Sequence, residues 1–556
     1  MKNVLKILKM ILSIISYVGG IARCDIFCIK KQTMFFSFVV YFLFTLQVYA
    51  TTYYVDYENG VDTNTGTSIG TAFKHCPGDS NATNNALLIN LIPGDTVIFK
   101  GGSTYSGEIT VNRSGSIENY ISYRGNTPAG DWGVGKAKLD LKELYFHAFN
   151  GYGSYIKVLN FDIYSVKRVS TETQRGTIRV SGGHDWLIQD CIFSRTEGWD
   201  MLCAQGSDES VYADQTQIFL RTAGTDNFEI NNCEFYAVGR DCIYMFRSDN
   251  VKIHDCNFGG INRGIQTGYF SVALRITYSS HNIQIYDNIF HDGWQYEGDD
   301  PGQRCHAGDW LHIYGNSNAA EYPHDILIEG NSFYNNRDFQ NPHGTAFSFM
   351  HTGVNNITWR NNTFINPHAY NGTLLTQFSE LAPDKIYIYN NTFVNYNTGL
   401  CMKIGLGSGS DFEVKNNIFV QYNSASSACL EVFDAGWAGT ISNNVYYRPN
   451  NESQTLRQSN TWYSLDQWKA LGYDANSSYG NPNLVNIPSN GELSSSGNYR
   501  LSNGSLNSIN TGATISGFNS DKDDVLRPQS ASWDIGAYEY FVMTLAPPQN
   551  VRVESQ

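Results

Sequence analysis

The sequence predicts an all-β protein, a single-stranded parallel β-helix capped at both ends. Three observations predict it: a repeated phrase, strict alternation inside the phrase, and an asparagine recurring at one place in it. The phrase reads Asp249-Asn-Val-Lys-Ile-His-Asp-Cys-Asn-Phe258, then His281-Asn-Ile-Gln-Ile-Tyr-Asp-Asn-Ile-Phe290, then His324-Asp-Ile-Leu-Ile-Glu-Gly-Asn-Ser-Phe333. It returns at Asn356–Phe364, Lys385–Phe393 and Asp411–Phe419, with fainter copies ending at Phe193 and Phe235 and a last one through Asn444. Self-similarity at this period marks a stacked repeat architecture.

Each copy is an alternating strand, two turn residues and an apolar residue. Alternation of apolar and polar residues is the signature of a half-buried strand. One position holds Cys191, Cys233 and Cys256, then Asn288, Asn331, Asn362, Asn391, Asn417 and Asn444. Asparagine suits a tight turn because it tolerates left-handed backbone and bonds the local backbone. Stacked copies would align these side chains into a hydrogen-bonded column, with cysteine filling the same inward position as a small apolar group. The phrase resembles the asparagine-ladder turn of pectate-lyase-like (pectin-lyase superfamily) right-handed β-helices, and that resemblance implies a right-handed coil.

Successive phrase-ending aromatics lie between 23 residues apart, Phe235 to Phe258, and 43 apart, Phe290 to Phe333. A rung therefore needs little more than twenty residues, and longer gaps are insertions, which in repeat folds project from one face, often the binding face. The largest separate Phe193 from Phe235 and Phe290 from Phe333. No leucine pattern or helix per repeat supports a leucine-rich solenoid, and a propeller would need longer, more regular blades.

The domain reading follows. Residues 1–50 hold two apolar runs, Met10–Val18 behind Lys2, Lys6 and Lys9, and Met34–Ala50 behind Lys30 and Lys31. The second has the basic start, apolar middle and small-residue end of a secretory signal, with translation expected to start near Met34; a membrane anchor is the alternative. No later stretch is long and apolar enough to span a bilayer. Residues 51–150 form an N-terminal cap with the first rungs. Tyr53-Tyr-Val-Asp56, Pro93-Gly-Asp95 and Ile121-Ser-Tyr123 resemble the opening of secreted bacterial β-helix proteins, where a cap covers an otherwise unpaired edge. Residues 151–450 are the β-helix, and 451–540 the last rungs and cap. There Asp521 to Pro528 and Asp534–Tyr540 resemble the closing segment of the same group. Residues 541–556 read as a linker or the first strand of a fibronectin-type module.

Composition agrees. Only 16% of residues are charged, and Gly and aromatics abound, as in all-β secreted proteins. The formal charge of −14 excludes nucleic acid as an expected partner, because phosphate binding calls for a basic face. It leaves room for an anionic polysaccharide in a locally basic groove. Nine cysteines follow Ala50, an odd number at irregular spacing with no CxxC pair, so buried free thiols are expected.

In β-helices that cleave polysaccharides, as the resemblance implies, the groove runs along the strand before each phrase. These strands read as Gly176–Val180, Gln217–Arg221, Asp241–Met245, Val272–Ile276, Asp309–Ile313, Gly344–Ser348, Gly399–Lys403 and Ala428–Val432. Alternation makes an outward column of Arg179, Phe219, Tyr244, Arg275, His312 and Phe347, about 25 Å long at ~4.8 Å per rung. Arginine pairs bidentately with carboxylate or sulfate and aromatic rings cover apolar sugar faces; the plainer reading is a solvated sheet face covered by long side chains. Arg221, His343 and Lys403 join the expected substrate-binding set. The densest polar cluster is Glu297, Asp299, Asp300, Arg304, His306, Asp309 and His312, in or beside the longest insertion, with His343 and His351 one rung on. Asp299 and Asp300 are a weak Ca²⁺ site matching no EF-hand loop, and the alternatives are no cofactor and an acidic loop kept for solubility.

Two mechanisms fit. β-Elimination from a uronide needs a cation to neutralise the carboxylate, a base for the C5 proton and an acid for the leaving oxygen. Arg275 is the expected neutraliser and His312 the base, with Tyr244, His306 or Lys403 as other proton carriers. The resemblance to pectate, alginate and chondroitin lyases is at fold level, and none of their catalytic Lys and Arg motifs occurs here. Hydrolysis needs two carboxylates; Asp241 and Asp309 open equivalent strands two rungs apart, ~9.6 Å along the stack, at the upper edge of the ~6.5–9.5 Å range of inverting glycosidases. Asp241-Cys-Ile and His343-Gly344 faintly resemble parts of the polygalacturonase signature, but Arg240-Asp241 replaces its paired Asp-Asp and no Arg-Ile-Lys triplet is present. A third reading is a non-catalytic polysaccharide-binding or adhesin-like surface protein on the same scaffold. The expectation is a secreted or cell-surface (extracellular or periplasmic) monomer acting on an anionic, uronate-containing polysaccharide, with a lyase preferred to a hydrolase.

Overall fold

The computed structural model describes residues 49–142, 144–145, 147–164, 176–194, 216–221, 225–236, 241–259, 272–294, 309–315, 321–337, 346–350, 353–366, 373–377, 384–396, 399–405, 411–423, 427–434, 437–487 and 497–541. In the compact unit Thr51–Gln556, three sheets of thirteen strands each carry the chain, and strand follows strand in sequence order down every sheet. One rung shows the plan. A leading strand (Val272–Thr277) turns into the phrase strand of the middle sheet (His281–Tyr286), and a two-residue turn passes to the trailing strand (Ile289–Trp294). All three pair in parallel with their counterparts in the next rung. The middle sheet already begins at Thr52–Val55, inside the segment expected to hold the cap, and runs to Thr440–Ser442.

Three inward columns hold the coil together. The phrase-ending rings of Phe193, Phe235, Phe258, Phe290, Phe333, Phe364, Phe393 and Phe419 stack near-parallel, with centroids 4.7 to 4.9 Å apart, and Tyr446 closes the stack at 5.3 Å. Each buried ring is worth about 1.5–3 kcal/mol in transfer alone. The second column is the isoleucine ladder of the phrase strands, Ile230, Ile253, Ile285 and Ile328 among them, all fully buried. The third is the asparagine ladder. Each amide Nδ2 donates to the next Oδ1, from Asn288 through Asn331, Asn362, Asn391 and Asn417 to Asn444, at 3.0–3.1 Å. Each Oδ1 also accepts the preceding rung's backbone N–H, and each Nδ2 also donates to a carbonyl such as Ile328 O at 2.9 Å. Every polar atom of these buried amides is thereby satisfied, which is what makes a buried polar column tolerable. Cys191, Cys233 and Cys256 occupy the same inward position, their Sγ atoms 3.6–3.7 Å from rung carbonyls. All seven described cysteines are free and buried.

One detail of the turn differs from the expectation. The left-handed residue is not the ladder asparagine but the one before it: Asp255, Asp287, Gly330, Asn361, Asn390, Asn416 and Asn443 all have φ between 51° and 67°. The ladder residue must keep ordinary backbone so that its amide points inward.

The far end is plugged. There Ser464 and Gln467 form a capping box that starts the helix Leu465–Ala470, as that residue pair favours, and the helix tucks Trp468 fully into the core. The ladder terminates on Ser477 and Asp474: Asn444 N donates to Ser477 Oγ at 2.7 Å and its Nδ2 to Asp474 Oδ1 at 3.2 Å. Burial pushes the Asp474 carboxyl up, against four hydrogen bonds that pull it down. The segment 510–540 then runs back along the outside of the middle-to-trailing turns. Asn443, Asn416, Asn390 and Asn361 donate to its carbonyls at Thr511, Ala513, Asp534 and Ser520, and Lys522 Nζ donates to Gly330 O. An ion pair at 2.8 Å between the buried Arg527 and Glu539 fixes this strap.

Two leading strands also lie elsewhere than expected. The segment expected at Gly344–Ser348 forms its strand at Ala346–Met350, and the one expected at Gly399–Lys403 forms it at Met402–Ile404. Between them stands Thr373–Gln377, a leading strand that the sequence reading passed over.

Candidate functional site

The outward column of the leading sheet assembles rung by rung. Backbone register aligns Arg179 with Phe219, Phe219 with Tyr244, Tyr244 with Arg275, and Arg275 with His312. These five expected residues share one column. The next partner of His312 is Phe349, not Phe347. Phe347 sits two residues earlier on the same face, because the strand lies two residues further along than expected. Below Phe349 the column continues through Thr376, Lys403, Glu431 and Arg457, so Lys403 belongs to it. Arg221 stands in the adjacent outward column with Phe246, Thr277 and Tyr314.

Arg275 is the anchored member. Its Nε donates to Asp241 Oδ2 at 2.9 Å and its Nη2 to Oδ1 at 3.0 Å, the fork geometry that a guanidinium and a carboxylate share. Asp241 is fully buried and Arg275 nearly so. Burial alone would lower the guanidinium's affinity for its proton, but the Asp241 carboxylate reverses this and raises it. The same guanidinium lies 5.8 Å from the Tyr244 ring centroid, within reach of a cation–π attraction. Burial raises the Tyr244 hydroxyl's pKa, and its hydrogen bond with Thr277 offsets part of that rise. His312 is half-buried, with its ring 5.1 Å from that of Tyr314 in the neighbouring column.

The lower column is cationic and aromatic as well. Lys403 Nζ lies 5.4 Å from the Phe433 ring, and Arg457 pairs with the buried Glu431 at 2.6 Å while sitting 5.3 Å from the Trp462 ring. Arg457 and Trp462 escaped the sequence reading because they lie beyond the last phrase, where no ladder asparagine fixes the register. At the upper end Arg179 pairs in register with Asn150, whose amide donates to Glu108 at 3.2 Å.

Asp309 takes the register position two rungs below Asp241, through Val272, as expected for the two strand-opening carboxylates. For Asp309, Phe219, Arg221 and Phe347 the backbone alone is described. His306, His343, Asp299 and Asp300, with Glu297, Arg304 and His351, lie outside the described residues. Among the described residues no group of three or more His, Cys, Asp or Glu side chains is placed to hold a metal ion, and no helix is long and apolar enough to cross a membrane.

The family model for a right handed beta helix region matches residues 147–393. No curated protein matches the sequence. Similar solved structures include the pectate lyase Pel9A, at 14% identity over 89% of this chain and 97% of that one, with a TM-score of 0.42. They also include a GH136 lacto-N-biosidase from Eubacterium ramulus, 14% identical over 73% of this chain and 66% of that one, with a TM-score of 0.40. A surface adhesin of Streptococcus pneumoniae is 12% identical over 67% of this chain and 85% of that one, with a TM-score of 0.41. With three sheets coiled in sequence order, parallel from rung to rung, and a β-helix match across its central rungs, the chain is a single-stranded right-handed parallel β-helix protein.

Proposed function

We propose that the leading-sheet face binds an anionic, uronate-containing polysaccharide outside the cell and cleaves it by β-elimination. One observation carries the reading: Tyr244, Arg275 and His312 occupy three consecutive rungs of one column, and the middle member is a guanidinium locked in place by Asp241. The two bonds to Asp241 fix the plane of the Arg275 guanidinium, and a uronate carboxylate is neutralised by that fixed charge. Neutralising that carboxylate acidifies the C5 proton. His312 takes the proton, the C5 electron pair forms the C4–C5 double bond, and the C4–O bond breaks. Tyr244 donates its proton to the departing oxygen; a phenol held protonated by burial suits an acid better than a base. Arg179 and Lys403 extend the contact along the chain. Extracellular placement rests on the apolar Met34–Ala50 run and its basic start.

The hydrolytic reading draws less support. Asp241 would have to face the substrate, yet it is fully buried and both its oxygens accept from Arg275. The test is incubation with a panel of polyuronides, with and without chelator, following the absorbance of unsaturated uronides and the release of reducing ends. New absorbance supports elimination. Reducing ends without absorbance overturn it in favour of hydrolysis, and neither signal across the panel makes the protein a binder only. Loss of signal only when chelator is present shows that cleavage needs a cation.

A further inference from the structure

The middle sheet presents a second feature, on a different face from the column above. Its outward residues Lys157, Leu187, Glu229 and Lys252 follow one another rung by rung. Leu187 is shorter than the long side chains on either side, so a notch one rung wide opens between Lys157 and Glu229. The notch belongs to a depression of about 470 Å³ that reaches Tyr120 at one end and Lys252 at the other.

Its walls are set by the fold. Asp185, Asn227 and Asn250 are left-handed, with φ of 59°, 59° and 53°, and line the side where the leading strands turn into the middle sheet. Asn250 donates to Asn227, which ties two of these rim amides together. Glu229 is oriented by Asn231 Nδ2 at 2.8 Å and lies 3.5 Å from His254 Nε2. Lys157 Nζ sits 4.9 Å from the Tyr120 ring centroid.

We infer that this depression is a saccharide-binding site separate from the leading-sheet groove, and that its ligand is a neutral sugar unit. The charges decide the class. Two lysines are balanced by Asp185 and Glu229, so the site offers no net positive field to an anionic chain. A neutral pyranose has an apolar C–H face and a rim of hydroxyls that both donate and accept. Leu187 takes the apolar face. Lysine and asparagine N–H groups and the two carboxylates take the hydroxyls. This site stands whether or not the leading-sheet face is catalytic.

The test is titration calorimetry of the full chain with cellohexaose, xylohexaose and mannohexaose, and with trigalacturonate as the anionic control. At least one neutral oligosaccharide is expected to bind, trigalacturonate not to compete for it, and Leu187→Arg, which fills the notch, to weaken binding about tenfold or more. Lys157→Ala weakens it less. Leu187 is half-exposed, so the variant should unfold at the wild-type temperature and keep any uronide cleavage. Binding unchanged in Leu187→Arg, no binding of any neutral oligosaccharide to the wild type, or competition by trigalacturonate would each overturn the assignment.

Discussion

Both oxygens of the buried Asp241 accept from one guanidinium, that of Arg275 on the adjacent rung, at 2.9 and 3.0 Å. A buried pair of this kind is tolerated only while both partners are present, since removing one strands the other's charge. Asp241→Asn should therefore destabilise the protein by about 3 kcal/mol or more in urea unfolding. Replacing both residues, Asp241→Asn with Arg275→Met, should recover part of the loss. A single variant within about 0.5 kcal/mol of wild type would show that the pair is solvated in solution.

The ladder makes a second prediction. Asn362 donates to Ile328 O and Asn391 Oδ1 and accepts from Asn331 N. Asn362→Ala takes the acceptor from Asn331 N and the amide donor from Ile328 O, while Asn391 Oδ1 keeps the backbone N–H of residue 362, at about 1–3 kcal/mol for each group left unsatisfied. Asn362→Cys should cost less, because Cys256 already occupies this position in an upper rung with its thiol 3.6 Å from Ile230 O. Equal denaturation midpoints for the two variants would refute that ordering.

The phrase and its asparagine column were legible because each copy repeats both a strand period and an inward polar residue that only stacking can satisfy. Register in the leading sheet was readable as far as His312 for the same reason: those strands sit a fixed distance before a phrase. It slipped at Phe347 because Phe347 and Phe349 are both aromatic with the same alternation, and nothing local separates them. The left-handed turn residue was misplaced where the phrase carries Asn-Asn, as at Asn361-Asn362, since either residue suits the turn. The doublets at Asn361, Asn390, Asn416 and Asn443 were themselves a signal. In earlier turns this outer position holds Asp255 and Asp287, and it becomes asparagine where the strap needs donors for its carbonyls. The Asp241–Arg275 pair was hidden, because alternation tells which face a residue takes but not that a strand-opening carboxylate will clamp the next rung's arginine.

The strap carries a pH signature. Lys522, half-buried and donating to Gly330 O, is brought from the ordinary 10.5 down to about 8. Burial is the cause, and Asp287 and Asp523 offset only part of it. Between about 8 and 10.5 the unfolded chain binds more protons at this site than the folded one, so stability rises with pH through that window. Below pH 8 the destabilising effect of burying the ammonium is present in full. Solvent screening at a half-buried site limits the gain to on the order of 1 kcal/mol. Limited proteolysis of the segment 510–540 should slow between pH 8 and 10, and Lys522→Met should be insensitive over that range. The same slowing in Lys522→Met would assign the effect to other groups.

His312 is the sharpest point at which the elimination mechanism can fail. It shares a column with Arg275 one rung above, so a uronate carboxylate on Arg275 brings the ring's C–H bonds alongside the imidazole. Its side chain projects from the leading sheet and belongs to none of the inward columns, so His312→Ala should leave the unfolding midpoint unchanged. Removing a positioned base costs about 10²–10⁴ in rate, and that loss should fall on kcat rather than KM, because the sugar is held by Arg179, Arg275 and Lys403. Arg275→Lys should instead raise KM and lower kcat together, as a point charge replaces a planar fork. A His312→Ala protein that cleaves polyuronide at the wild-type rate removes the residue from the mechanism and leaves the base to be sought among the residues of the long insertion.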